Sequence, residues 1–188
     1  LAIVDNDFKA YKNDNLDSER TNQLKYKENV NAGYVSFSHR PNDKFSWRAG
    51  LRFEHTYTSI DQKATNDKIT DNYFDLFPNL NVSYRVGKMD NVSLTYSYRI
   101  SRPDYNSLNP FRVKLSDYNY SSGNPDLMPE YTHKLDLNYA FHYMLFFTAS
   151  YSYSDNEINQ VMLTTPNSLV ITQNPMNTGY CHRASIGL

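Results

Sequence analysis

Phe45-Ser46-Trp47-Arg48-Ala49-Gly50-Leu51-Arg52-Phe53-Glu54-His55-Thr56-Tyr57-Thr58 is the stretch that decides the fold. Its odd positions, Phe45, Trp47, Ala49, Leu51, Phe53, His55 and Tyr57, make an almost wholly apolar row. Its even positions, Ser46, Arg48, Gly50, Arg52, Glu54, Thr56 and Thr58, make a polar one. A helix turns about 100° per residue and mixes these rows, whereas a strand sends them to opposite faces. The segment reads as a strand with one apolar face.

The same alternation continues outward. Leu80, Val82, Tyr84 and Val86 alternate with Asn81, Ser83 and Arg85, and Val92, Leu94, Tyr96, Tyr98 and Ile100 with Ser93, Thr95, Ser97 and Arg99. Tyr131, His133, Leu135, Leu137, Tyr139 and Phe141 oppose Thr132, Lys134, Asp136, Asn138 and Ala140. Phe147, Ala149, Tyr151 and Tyr153 oppose Thr148, Ser150, Ser152 and Ser154. A weaker pattern over 24–38, a strand beginning near Tyr180 and a partial one at the N-terminus bring the expected number to about eight. The fold class that follows is all-β, an antiparallel up-and-down meander.

A soluble sandwich shows the same alternation, with one face in a core and the other in water. Three features favour a membrane-spanning barrel wall. The connections alternate in length: 40–44, 87–91 and 142–144 are short, while 59–73, 101–130 and 155–179 are long. Outer-membrane barrels have tight turns at one end and long loops at the other. The strand from Phe45 to Tyr57 spans about 40 Å at ~3.3 Å per residue, and tilted it crosses the ~25 Å apolar band of such barrels. Aromatics crowd both strand ends, with Phe45, Trp47, Tyr84, Tyr139, Phe141 and Phe147 near the short turns and Tyr57, Tyr98, Tyr131 and Tyr153 near the long loops. This is the placement of two interfacial girdles.

Composition agrees. The 188 residues contain 17 Tyr and 10 Phe, yet mean hydropathy is only −0.71, as expected of strands with a single apolar face. No apolar run approaches the ~20 residues of a membrane helix. Lys+Arg 19 against Asp+Glu 20 leaves a net charge of −1, which provides no basic surface for nucleic acid. The chain starts and stops without a leader or a closing turn, so both ends read as cuts through a longer protein.

Catalytic signatures are lacking. His39, His55, His133, His142 and His182 are scattered without metal-ligand spacing, and His55 and His133 sit on apolar rows near the rims. No nucleophile elbow, P-loop or dinucleotide fingerprint occurs, although the rim acids Asp61, Asp67, Asp71 and Asp75 merit a check against a neighbouring His. The expectation is a protein that is not an enzyme and holds no cofactor or metal. Arg48, Arg52, Glu54, Arg85, Arg99, Lys134, Asp136 and Arg183 lie on polar rows, hence toward a lumen. There they line a solute path, hold a plug, or neutralise one another as a solvated wall. Cys181 shares a row with Arg183. In loop 101–130, Tyr105, Asn106, Arg112, Tyr118, Asn119 and Tyr120 have the aromatic-and-amide mixture of adaptable binding surfaces. The competing reading makes the same loop rim architecture, folded by Pro103, Pro110, Pro125 and Pro129.

From about Leu24 onward the sequence resembles the outer-membrane β-barrel family of TonB-dependent receptors of Gram-negative bacteria. The segments that carry the resemblance are Tyr26-Lys27-Glu28-Asn29-Val30-Asn31-Ala32, Ala49-Gly50-Leu51-Arg52-Phe53-Glu54-His55-Thr56 and Tyr73-Phe74-Asp75-Leu76-Phe77-Pro78-Asn79-Leu80. The most specific runs from Ile100-Ser101-Arg102-Pro103 through Leu108-Asn109-Pro110-Phe111 to Gly123-Asn124-Pro125-Asp126-Leu127-Met128-Pro129-Glu130-Tyr131, with Met128 where Lys is frequent. The resemblance implies a barrel of about twenty-two strands around an N-terminal plug that engages TonB. Twenty-two strands of ~9–11 residues exceed this chain, so residues 1–188 are expected to be one barrel segment, with the plug and remaining strands outside it. The implied location is the cell outer membrane. The implied partners are outer-membrane lipid, the plug and other strands, the TonB complex and an unidentified solute, imported because it is large or scarce. The alternatives are a small closed barrel of about eight strands, or a soluble β-domain, acting as a binding or structural module. Short turns are expected in the periplasm and long loops outside the cell.

Overall fold

The computed structural model describes residues 2–8, 11–12, 15–16, 22–62, 67–142, 144–164 and 169–188. Strands β1 (Ala2–Phe8), β4 (Asn22–His39), β5 (Phe45–Gln62), β6 (Asp67–Arg85), β7 (Asn91–Ser101), β10 (Glu130–Phe141), β11 (Leu145–Asp155) and β14 (Cys181–Gly187) form one antiparallel sheet in that order. The expected count of about eight holds for this sheet. Two-residue strands β2 (Tyr11–Lys12) and β3 (Asn15–Leu16) pair with each other between β1 and β4. Among the described residues β1 and β14 do not pair, so the eight strands make an open wall and not a small closed barrel.

Register keeps the two faces separate across the wall. Trp47, Ala49 and Leu51 stand opposite Val82, Leu80 and Pro78, while Val82 and Leu80 stand opposite Leu94 and Tyr96. Those two residues meet Leu137 and Leu135, which face Ala149 and Tyr151. Directly opposed residues share a face, so this apolar row is continuous, and it includes many of the large exposed hydrophobics, Leu80, Leu94, Leu135, Leu137 and Tyr151 among them. Phe53 lies across Gly33, its opposite number, and occupies the space a Cβ there would fill. An aromatic ring thus supplies the packing that glycine lacks.

The connection expected over 59–73 is much shorter in the structure. β5 continues to Gln62 and β6 begins at Asp67, with 63–66 outside the described residues. The extension was hidden because polarity inverts along it. Beyond Tyr57 the formerly apolar row becomes Ser59 and Asp61, opposite Thr70 and Lys68. The formerly polar row becomes Ile60, opposite Tyr26 and Ile69. This inverted section holds the small core of the molecule, where Leu24, Tyr26 and Ile60 pack with Leu108 and Leu127 of loop 101–130. That loop therefore folds back over the polar face.

The short connections are as expected. Val86 N–H donates to the Asp90 carbonyl at 3.1 Å across one turn. In the turn at 142–144, of which Tyr143 lies outside the described residues, His142 takes a left-handed φ of 50° and its N–H donates to the Asp90 carboxylate at 2.9 Å. Both long loops carry structure of their own. Loop 101–130 contains a helical turn α1 (Tyr105–Leu108) with strands β8 (Val113–Lys114) and β9 (Asn119–Ser121), and loop 155–179 contains the hairpin β12 (Ile158–Thr164) and β13 (Ile171–Asn177). β9 pairs in parallel with β13, giving a four-stranded sheet β12-β13-β9-β8 built from two loops.

Candidate functional site: the polar face and the loops that cover it

Seven of the eight wall residues singled out in the sequence share one face of β5, β6, β7 and β10. Arg48, Arg52 and Glu54 oppose Asn81, Phe77 and Asp75, and Arg85 opposes Asn91. Arg99, Lys134 and Asp136 oppose Thr132, Ser97 and Thr95. Arg183 joins them opposite Ser152. Charge is unevenly spread over the face. Arg48 and Arg85 lie toward the short turns and Arg52 in mid-strand, whereas Glu28, Asp71, Asp75 and Glu130 lie toward the long loops, where Arg99 and Lys134 stand among them. Part of the charge is neutralised locally, since Arg52 Nε meets Glu54 Oε1 at 2.5 Å and Lys134 Nζ meets Asp136 at 2.9 Å.

Glu54 has a different role from its row-mates. It is 3 % exposed, and its second oxygen accepts from Arg102 at 2.7 Å. Arg102 also donates to Thr56 Oγ1 at 2.8 Å and to the Tyr73 hydroxyl at 3.1 Å. A carboxylate so buried is tolerated because two guanidiniums and their hydrogen bonds replace its water. Arg102 is the first residue after β7, so this network pins the start of loop 101–130 to β5 and β6. Sequence reading quoted Arg102 only as part of a motif. Its role depends on a partner 48 positions away, which spacing does not reveal.

The Gly-Asn-Pro segment closes the loop upon itself. Asp104 caps α1, its carboxylate accepting from Ser107 N–H at 2.7 Å. Gly123 and Asn124 N–H groups then donate to the Asn109 and Ser107 carbonyls at 2.9 and 2.7 Å. A Cβ at Gly123 would meet three backbone oxygens, those of Asn109, Ser107 and Asn106, at 2.5–2.7 Å. Glycine is required there for close backbone approach. Asn124 Oδ1 accepts from Asp126 N–H at 3.0 Å to form the following turn.

Asn177 joins the two long loops. Its side chain accepts from Met128 N–H at 2.9 Å and donates to the Met128 carbonyl at 3.0 Å, as a strand partner would, and it also donates to the Asn156 carbonyl at 2.8 Å. Asn124 Nδ2 donates to the Pro175 carbonyl at 3.3 Å. The Arg183 guanidinium bonds Glu157 and holds its carboxyl below the ordinary glutamate range. The loop sheet was not anticipated. The available signal was a pair of apolar clusters, Val161-Met162-Leu163 and Leu169-Val170-Ile171, flanking Thr164-Thr165-Pro166-Asn167, a hairpin composition.

The six loop residues separate into two groups. Tyr105 packs edge-on against Tyr26 at 6.3 Å, and the Asn106 carbonyl lies against Gly123; both belong to the folded base. Arg112, Tyr118, Asn119 and Tyr120 are on or beside the loop sheet. The Arg112 guanidinium lies 3.9 Å over the Tyr120 ring and donates to Thr172 at 3.4 Å, while Tyr118 is largely exposed. The rim acids do not assemble with a His: register sends Asp61 to the face opposite Asp71 and Asp75, and the Asp67 side chain lies outside the described residues. No group of three metal-ligating side chains occurs among the described residues.

Near the long loops the wall forks. β6 and β7 pair from Arg85↔Asn91 only as far as Asn79↔Ser97. Pairing stops beside Pro78, which has no N–H to donate. Across the opening Tyr98 packs on Phe77 at 5.6 Å, and the Tyr131 hydroxyl donates to Asp75 at 3.3 Å. These two tyrosines, expected in the outer girdle, reach polar-face residues instead. On its other side Tyr98 stacks on His133 at 4.2 Å, and Tyr153 and His182 continue the ring ladder at 6.3 and 5.0 Å. An open trough of about 850 Å³ lies at the fork, lined on the polar side by Tyr34, Arg52, Glu54, Phe77, Asn79 and Arg99.

Residues 2–188 match the model of the outer membrane protein beta-barrel family. In solved structures the chain is similar to the hemophore receptor HasR of Serratia marcescens, determined as a double mutant with its hemophore HasA and heme. The TM-score is 0.58 at 14% identity, over 88% of this chain and 31% of that one. It is likewise similar to the siderophore receptor PirA of Pseudomonas aeruginosa, with a TM-score of 0.54 at 12% identity, over 88% of this chain and 39% of that one. At these identities the likeness is one of fold, and the chain spans about a third of either receptor. No curated protein matches it.

Proposed function

The chain belongs to the outer membrane protein beta-barrel family of the Gram-negative cell outer membrane, and on that premise we propose that it is part of the barrel wall of a TonB-dependent receptor importing a large or scarce solute. The observation that carries this reading is the roof. Two long loops at one end of an eight-stranded meander fuse into a single sheet, and one of them is locked onto the polar face through Arg102 and Glu54. Such a wall, open at both edges, is suited to enclose a plug supplied with further strands by the full-length protein. Arg112, Tyr118, Asn119 and Tyr120 are the loop residues offered to solute, and Tyr105 and Asn106 serve as scaffold. In this reading the chain binds and passes a solute without transforming it.

The test is uptake in cells producing the full-length protein. Growth or radiolabel accumulation on the receptor's solute should depend on both the protein and TonB. Accumulation unchanged by loss of TonB would refute energy-coupled import.

A further inference from the structure

We propose that the trough at the β6–β7 fork is an anion-binding site, which takes carboxylate or phosphate groups of the imported solute. The inference rests on the receptor reading and adds a substrate class to it.

Three guanidiniums line the trough, those of Arg52, Arg99 and Arg102, against one carboxylate, Glu54. Glu54 is shared by Arg52 and Arg102, so the lining keeps two positive charges in excess. Arg102 has its donors committed to Glu54, Thr56 and Tyr73 and acts as support. Arg52 and Arg99 remain. Arg52 meets Glu54 through Nε, and its side chain is half-exposed and open to a ligand. Arg99 is exposed and makes no ion pair among the described residues.

The fork supplies the room. Gly50 sits beneath the Tyr34 hydroxyl and the Asn79 amide, which stand 2.5 and 2.7 Å from where its Cβ would be. Their polar ends therefore lie close to the wall, as extra hydrogen-bonding groups beside Arg52. Phe77 and Tyr98 form an apolar side. Planar guanidiniums next to amide, hydroxyl and ring surfaces suit an organic anion, because paired N–H groups match carboxylate and phosphate oxygens.

The probe is inorganic tripolyphosphate, titrated calorimetrically into the purified full-length protein in detergent. Binding should weaken about tenfold or more in Arg99→Gln, and similarly in Arg52→Gln, the loss expected for one charge-assisted contact. Lys134→Gln, on the same face but outside the trough lining, should bind as wild type. Arg99 is exposed and makes no ion pair among the described residues, so its variant keeps the test valid if Arg52→Gln misfolds. Unchanged binding in Arg99→Gln overturns the proposal. So does binding that appears only after plug deletion, because the cations then serve acidic groups of the plug. The titration needs no TonB, so a failure of import and a failure of this site are distinguishable.

Discussion

Arg102 and Glu54 show how one contact can hold a loop of some thirty residues. Removing Arg102 takes from the buried Glu54 one of its two guanidiniums and leaves Arg52, at a cost of roughly 1–3 kcal/mol, that of a lost charge-assisted hydrogen bond. Arg102→Ala should therefore free loop 101–130, seen as faster proteolysis between β8 and β9, with heat-modifiable barrel migration retained. Replacing both residues together (Glu54→Leu with Arg102→Met) should recover most of that loss. A double variant as protease-sensitive as the single one would show that the pair does not hold the loop. At this scale the sequence conveyed residue type and row but not partnership. It put Glu54 on the polar face, and only the fold reveals that Glu54 faces Arg102 instead of open solvent. The glycine of the Gly-Asn-Pro motif was legible as a motif; that three carbonyl oxygens converge on it was not.

The strands were the most legible elements, because lipid on one side and water on the other impose period two wherever the wall spans the membrane. Arg introduced at Leu51 or Leu137 should destabilise the lipid-embedded protein by about 2–4 kcal/mol, the cost of a lipid-facing cation near the midplane. At Ser46 or Asn138, on the opposite face, it should cost much less. Reversible unfolding in vesicles measures both, and equal costs would show the faces to be misassigned. Legibility failed where the environment changes. Above Tyr57 loop side chains replace water inside, so Ile60 turns inward, while the outward row carries Asp61 and a buried Ser59. A search for one continuous apolar row ends there, though the strand runs on to Gln62. The loop strands were missed for a related reason. Lying on other loop segments instead of lipid, they have no uniform face to betray them.

For the molecule as a whole, the alternation of short turns with long connections predicts sidedness. An epitope inserted at Ser116-Asp117, in the β8–β9 turn, should be labelled by antibody on intact cells. One at Asn42-Asp43 or Lys88-Met89 should be labelled only after the outer membrane is breached. Labelling of the short-turn sites on unbroken cells would reverse the orientation. The open wall has a further correlate: among the described residues β1 and β14 present unpaired edges, which invite strand addition, so residues 1–188 expressed alone should require detergent to stay monodisperse. The parallel pairing of β9 with β13, reinforced by Asn177 on Met128, bears on how such a surface diversifies. Neither loop is an independent module. A chimera that transplants only the first from a relative strips β13 of its neighbour and leaves Asn177 without its backbone partner. A chimera that carries both keeps the seam intact. Recombination, natural or engineered, is thereby constrained to exchange the two segments as a matched set, although a complete membrane hairpin separates them in the chain.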